Sequence, residues 1–238
     1  MTTLAPEDIP RLLSTAEEMP YHDLFYTALY TGLRLGELLA LRRCDVNLGL
    51  SFLSVVQTLY RRGDYVIKEP KSRCSRRTVA LPPSLALLLR RRTAEQKALG
   101  GLLGKPITDG DFVFAYADGS PLDPSTVSHA FARTVRKAGL PHIRFHDLRH
   151  ATPMLSAGVH PKVVSERLGH SSVAFTLDTY SHVLPGLQER AAQRFDEHLG
   201  QISDVAKMLP SRAELDSDPQ RTRTSNLLIK SQLLYQLS

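Results

Sequence analysis

Cysteine is scarce in this 238-residue chain: Cys44 and Cys74 stand thirty positions apart and form no CxxC pair. That spacing suggests neither a disulfide framework nor a thiolate zinc site, and reads as two reduced thiols with no shared role. Long apolar runs are missing as well. Stretches such as Leu85–Leu89 stop far short of the ~20 residues that a bilayer-spanning helix needs. The opening MTTLAPEDIP has no basic segment followed by an apolar one, so no secretory leader is expected and the expected location is cytoplasmic, with no membrane partner. No internal repeat or low-complexity tract is present.

What remains is an ordinary composition for one large domain or two small ones, 42% hydrophobic and 23% charged, enough to bury a core. The formal net charge is +6, and the excess is clustered rather than spread. It gathers at Arg42-Arg43, Arg61-Arg62, the segment Lys68 to Arg77, and Arg90-Arg91-Arg92, near predicted turns and helix ends from which long side chains reach phosphates. Nucleic acid is therefore the favoured partner before any motif is considered.

Along the chain the hydrophobic spacing predicts a mainly α domain with a small antiparallel β-sheet. Pro6 opens a helix carrying Ile9, Leu12 and Leu13, and a second helix spans about 21–30. Gly32 interrupts it, and a leucine stripe from Leu35 continues to about Arg43, placing Arg34 just inside that next helix. Residues 50–59 read as one strand, with a turn at Arg62-Gly63-Asp64, a second strand at 65–67 and a third at 77–81 completing the same sheet. The polar loop before the third strand carries Lys71 and Arg73. A helix over about 85–99 should break at glycines 100, 101 and 104, and a short strand follows at 112–114. Asp123-Pro124 caps a helix running through Lys137 and closed by Gly139. Short helices are expected at about 146–157, 161–168 and 171–182, and a last one at 187–199. Residues 201–238 lack sustained helical spacing and read as a flexible tail.

The stretch from Ile143 to His182 organises the rest. His146 and Arg149 are three apart in HDLR and share a helical face. Tyr180 lies ten residues beyond His170 of LGHSS, far enough for a short helix to return it over that face. Taken with TGLRLGEL at 31–38, PKSRCSRRTV at 70–79 and TLDTYSHV at 176–183, these segments resemble, in order, the catalytic domain of tyrosine recombinases of the phage integrase family. The resemblance covers about residues 4–199, hence an expected catalytic domain over 1–200. It implies that Arg34 is the first catalytic arginine, Lys71 the hairpin lysine, His146 and Arg149 the HxxR pair, His170 the second histidine and Tyr180 the nucleophile. Arg42, Arg43, Arg73, Arg76 and Arg77 are the expected DNA contacts. No N-terminal core-binding domain is expected in this chain, and the ending RTRTSNLLIKSQLLYQLS resembles reading frames that run into a tRNA gene used as attachment site.

The chemistry implied is cleavage and rejoining of DNA strands through a 3′-phosphotyrosine, on duplex attachment sites, within a homotetramer and with accessory DNA-bending proteins, and without cofactor or metal. A phosphodiester is anionic and gains charge in its pentavalent transition state, which two guanidiniums offset by paired hydrogen bonds. A tyrosine with a pKa of about 10 needs a base, His146, and the leaving 5′ oxygen needs an acid, Lys71. Glu37, one turn after Arg34, buttresses the fold or orients that arginine. Two other readings stay open. His146 and His150 have the i, i+4 spacing of a zinc helix, with Asp147 in place of the usual glutamate. A non-catalytic DNA-binding remnant is the second, favoured by the missing core-binding domain and by Pro153, which removes a backbone hydrogen bond from the helix of His146 and Arg149.

Overall fold

The computed structural model describes residues 4–69, 75–149, 159–170, 172–180 and 195–196. The chain divides into two units, Met1–Leu184 and Pro185–Ser238, and the helices and strands between Pro6 and Tyr180 build the first. Lys71, Arg73, His150, Pro153, the helix expected at 187–199 and the tail 201–238 lie outside the described residues or, for the helix, almost wholly so. Of Tyr180 the backbone is described and the side chain is not.

A 3₁₀ turn, Pro6–Asp8, leads into α1, Ile9–Glu17, and prolines 6 and 10 occupy first-turn positions where no N–H is required. Helix α2, His22–Thr31, buries Leu24, Phe25, Ala28 and Leu29 and stops at Gly32, which takes φ 66° and donates its N–H to the Ala28 carbonyl. That left-handed turn costs a residue with a Cβ and costs glycine almost nothing. Helix α3 is short, Leu35–Leu39. The leucine stripe does not continue it to Arg43, because Asp45 folds back to accept the Arg42 N–H at 3.1 Å and starts a separate 3₁₀ turn, Arg43–Asp45.

The strands form two sheets rather than one. Strands β1 (Val46–Asn47), β2 (Phe52–Val55) and β5 (Arg77–Ala80) make a three-stranded antiparallel sheet in the order β1-β2-β5. Strands β3 (Thr58–Arg62) and β4 (Asp64–Lys68) pair only with each other among the described residues, around the expected turn at Gly63. The run expected as one strand at 50–59 breaks at Val56 and Gln57, where the Gln57 amide donates to the Ala40 carbonyl at 2.7 Å instead of extending the ladder. The third predicted strand therefore returns to β2, with Val55 opposite Arg77.

Helix α4, Pro83–Leu102, runs through Gly100 and Gly101 rather than breaking there. A glycine costs only about 1 kcal/mol in a helix, and a Cβ at Gly100 would meet the Lys105 carbonyl at 2.6 Å. The expected strand at 112–114 is reduced to single bridges, Arg42 to Phe112 and Ala115 to Pro121.

Helix α5, Pro124–Lys137, is as expected, its N-terminus capped by Asp123, whose carboxylate accepts the Thr126 N–H at 2.9 Å. It buries Val127, Ala130, Phe131, Thr134 and Val135, the one-sided stripe of a helix laid on a core. Phe131 meets Phe25 of α2 edge-on at 5.3 Å and Phe145 at 5.5 Å, all three buried. This aromatic cluster anchors the segment that carries HDLR. Helices α6, Pro161–Leu168, and α7, Val173–Tyr180, come after it in the chain.

Candidate active site

HDLR lies in a 3₁₀ turn, Phe145–Arg149, where the first turn of an α-helix over about 146–157 was expected; residues 150–157 lie outside the described residues. In a 3₁₀ turn residues three apart eclipse one another, so His146 and Arg149 stand on one face as their spacing predicts. The turn starts because the Asp147 carboxylate accepts the Arg144 N–H at 2.8 Å and the Arg144 guanidinium at 3.0 Å. Asp147 is thereby turned to Arg144, away from any role as the zinc helix's base.

Arg149 is almost wholly buried, and two of its N–H groups go to main-chain carbonyls: Nη1 donates to Gly32 at 2.6 Å, and Nη2 to Leu168. The first acceptor belongs to TGLR and the second to LGH, so one guanidinium draws three distant motifs together. Arg34 sits at the N-cap of α3 rather than inside it, its side chain 40% exposed. Glu37 orients it, accepting the Arg34 N–H at 2.8 Å and Nη1 at 2.9 Å. Gly36 between them is required by contact, since a Cβ there would lie 2.6 Å from the Leu59 carbonyl of β3.

His146 is exposed at the rim of this group, beside a cavity of about 380 Å³ that it shares with Leu35, Phe131 and Arg144. Its pKa lies below the ordinary histidine value, first because the protein beneath withdraws water from the ring, then because Arg149 and Arg34 repel a second positive charge; Asp147 opposes them. The shift favours the neutral imidazole. His170 is buried; its Nδ1 lies 2.8 Å from the Thr176 hydroxyl and its ring stands edge-on to Phe175 at 5.0 Å. Thr176 is on α7, the helix that also carries Tyr180.

The expected DNA-contacting arginines divide. Arg42 is held by Asp45 at 3.0 Å and Arg43 donates to Gln96 at 2.5 Å. Arg76 pairs with Glu69 on the open surface. Arg77 faces inward, 6% exposed, and its donors go to Glu37 and to the Ser75 and Arg167 carbonyls. Its charge is used inside the protein rather than at the surface. Sequence reasoning missed Arg77 as a partner of Glu37, Thr176 as the partner of His170, and Arg167, which donates to the Tyr30 carbonyl at 2.7 Å. Only the position of Thr176 near His170 carried a local signal.

A mainly helical domain with small antiparallel sheets, gathering two arginines and two histidines from separate motifs beside a helix that carries Tyr180, has the fold of a tyrosine recombinase catalytic domain. Residues 2–186 match the phage integrase family, and the chain belongs to that family. It is 31% identical over 210 residues to a tyrosine recombinase XerC-like protein of Caldanaerobacter subterraneus subsp. tengcongensis, covering 82% of this chain and 54% of that one. It is 30% identical over 199 residues to the ICEBs1 integrase of Bacillus subtilis, with the same coverage of 82% and 54%. The chain thus spans about half the length of these curated relatives. Among solved structures it resembles the Tn1549 transposon integrase in complex with transposon right end DNA, with TM-score 0.68, 25% identity, and 82% of this chain and 65% of that one covered. The XerA recombinase gives TM-score 0.62 at 28% identity, with coverage of 82% and 65%.

Proposed function

We propose that this chain is the strand-cleaving and rejoining part of a site-specific DNA recombinase that acts through a 3′-phosphotyrosine at Tyr180. The observation that carries the reading is the placement of Arg149, whose guanidinium bonds the carbonyls of Gly32 and Leu168 and so gathers the Arg34, His146 and His170 motifs. Support also comes from membership of the phage integrase family.

In this mechanism Arg34 and Arg149 address the non-bridging oxygens of the scissile phosphate and offset the charge that grows in the transition state. His146, its neutral form favoured, accepts the phenolic proton as the Tyr180 oxygen attacks phosphorus. The bond from phosphorus to the 5′ oxygen breaks, and Lys71 supplies the proton that this oxygen takes up. The contact of His170 Nδ1 with the Thr176 hydroxyl holds the ring in place, and the other ring nitrogen is the one that serves the scissile phosphate. Attack by another strand's 5′ hydroxyl reverses each step, so rejoining needs no ATP. Duplex DNA is the substrate, bound by the clustered arginines and lysines, and exchange between two duplexes calls for four copies, with DNA-bending proteins as accessory partners.

The test uses duplexes from the DNA that flanks the coding sequence, nicked beside each candidate scissile phosphate so that the leaving fragment diffuses away. Covalent protein–DNA adduct from the wild-type chain, and none from Tyr180→Phe at unchanged DNA affinity, is the expected result. DNA binding without adduct across these duplexes would instead establish a non-catalytic DNA-binding remnant.

A further inference from the structure

Arg77 presents a puzzle that the proposed chemistry does not absorb. It is a nearly buried arginine at the start of β5, 40 positions from its carboxylate partner. Nη2 donates to Glu37 Oε2 at 2.8 Å and Nη1 to Oε1 at 3.1 Å, the fork geometry in which guanidinium meets carboxylate best. Glu37 Oε1 is the same atom that holds Arg34 Nη1 at 2.9 Å. On its other side Arg77 Nε donates to the Arg167 carbonyl at 2.7 Å, one residue before the Leu168 carbonyl that receives Arg149 and three before His170. The backbone of Arg77 is itself fixed, paired opposite Val55 in the sheet.

We propose that Arg77 is a positioning residue for phosphate recognition: rooted in β5, it sets the Glu37 carboxylate that aims Arg34, and in the same grip sets the α6 terminus that receives Arg149. This rests on the function proposed above. Stability alone is a poor reason for such an arrangement, because a buried ion pair is commonly matched or surpassed by apolar side chains of similar volume. What the fork supplies is direction. A carboxylate shared by two guanidiniums has its plane fixed by the buried one, and the half-exposed one inherits that orientation. Arg167 adds to the same region: burial, then the charge of Arg77, lower its pKa, so a third guanidinium lies within electrostatic reach of Arg77. A single carboxylate among these cations leaves a net positive field, and Arg34 is the exposed member that can deliver it.

The experiment compares the wild-type chain with Arg77→Met, Arg77→Lys, Arg34→Ala and the Arg77→Met/Arg34→Ala double variant, measuring single-turnover cleavage, DNA affinity and thermal unfolding. Two nicked substrates are used, one ordinary and one with a neutral methylphosphonate at the scissile position, which lacks the charge that Arg34 offsets. Arg77→Met should lower cleavage of ordinary DNA by on the order of 10- to 100-fold, the scale of a misplacement of about 1 Å, without changing DNA affinity. The deficit should shrink on the methylphosphonate, as it should for Arg34→Ala, and the double variant should cleave ordinary DNA little worse than Arg34→Ala alone. Arg77→Lys keeps the charge but not the fork, folds if Arg77→Met does not, and should show the same pattern in smaller degree. Equal losses on both substrates, additive losses in the double variant, or full activity of Arg77→Lys would each overturn the proposal and leave Arg77 a structural residue. An inactive wild-type chain on both substrates would instead remove the functional reading, and this inference with it.

Discussion

Replacing Glu37 with glutamine tests the arrangement at its most concentrated point. Glu37 is 3% exposed and accepts from the Arg34 N–H, Arg34 Nη1, and both terminal nitrogens of Arg77. Glutamine keeps the shape, removes the charge and turns an N–H₂ group toward guanidinium donors. Arg77, 6% exposed, is then left as a buried cation without its counter-ion. Removing one partner of a buried pair costs about 3–5 kcal/mol, which for a chain of this size corresponds to a fall in Tm of roughly 6–20 °C. The pH dependence adds an independent check. Burial pushes the Glu37 pKa up, but the hydrogen bonds and charge of Arg77, with those of Arg34, more than reverse this and hold it below the ordinary carboxylate value of 4.5. A carboxylate with a depressed folded-state pKa contributes stability that is fully present above its unfolded value and is lost as pH falls through the folded one. The gap between wild type and Glu37→Gln should therefore be constant near neutrality and narrow in acid below pH 4.5. Urea unfolding followed by circular dichroism across that range measures it. A gap under about 1 kcal/mol at pH 7, the size of a surface pair, or one that widens in acid, would show that Glu37 is not the counter-ion of a buried Arg77.

Three further outcomes are expected. By NMR titration the His146 ring should protonate below the ordinary value of 6.5, and Arg149→Ala should move it upward by removing a repelling charge; an unmoved midpoint would contradict this electrostatic coupling. Arg149→Ala should slow cleavage by on the order of 10²–10³-fold, the usual loss for one transition-state donor, and wild-type cleavage should survive excess chelator because arginines stand where a cation would. Gly36→Ala should lower stability by about 1–3 kcal/mol, the usual range for overpacking, since its Cβ would press on the Leu59 carbonyl at 2.6 Å and the Thr58 methyl at 2.8 Å; an unchanged melting curve would show that β3 yields at no cost.

Features governed by neighbours in sequence were legible in advance. Asp123-Pro124 announced α5, Gly32 ended α2 and Gly63 turned the hairpin, each through a backbone requirement confined to a few residues. Features set by distant partners were not. The inward turn of Arg77 depends on Glu37 forty positions earlier, and in sequence it looked like one more basic residue of a surface cluster. The division of the sheet depends on a side-chain bond from Gln57 to the end of α3, and the helical course of Gly100 on a loop returning at Lys105. Arg34 fell at the N-cap because the Glu37 carboxylate accepts its N–H there, a contact that spacing suggested without saying which residue begins the helix.

The proposed covalent joining of Tyr180 to DNA is measured by the mass of the peptide that contains it. After reaction with nicked flanking-sequence duplexes, the DNA is digested to a single nucleotide and the protein is cleaved and analysed by tandem mass spectrometry. A 3′-nucleotide carried on Tyr180, formed equally well in chelator, is the predicted result. A nucleotide carried on any other residue, or an adduct that forms only with added metal, would contradict metal-free attack by Tyr180.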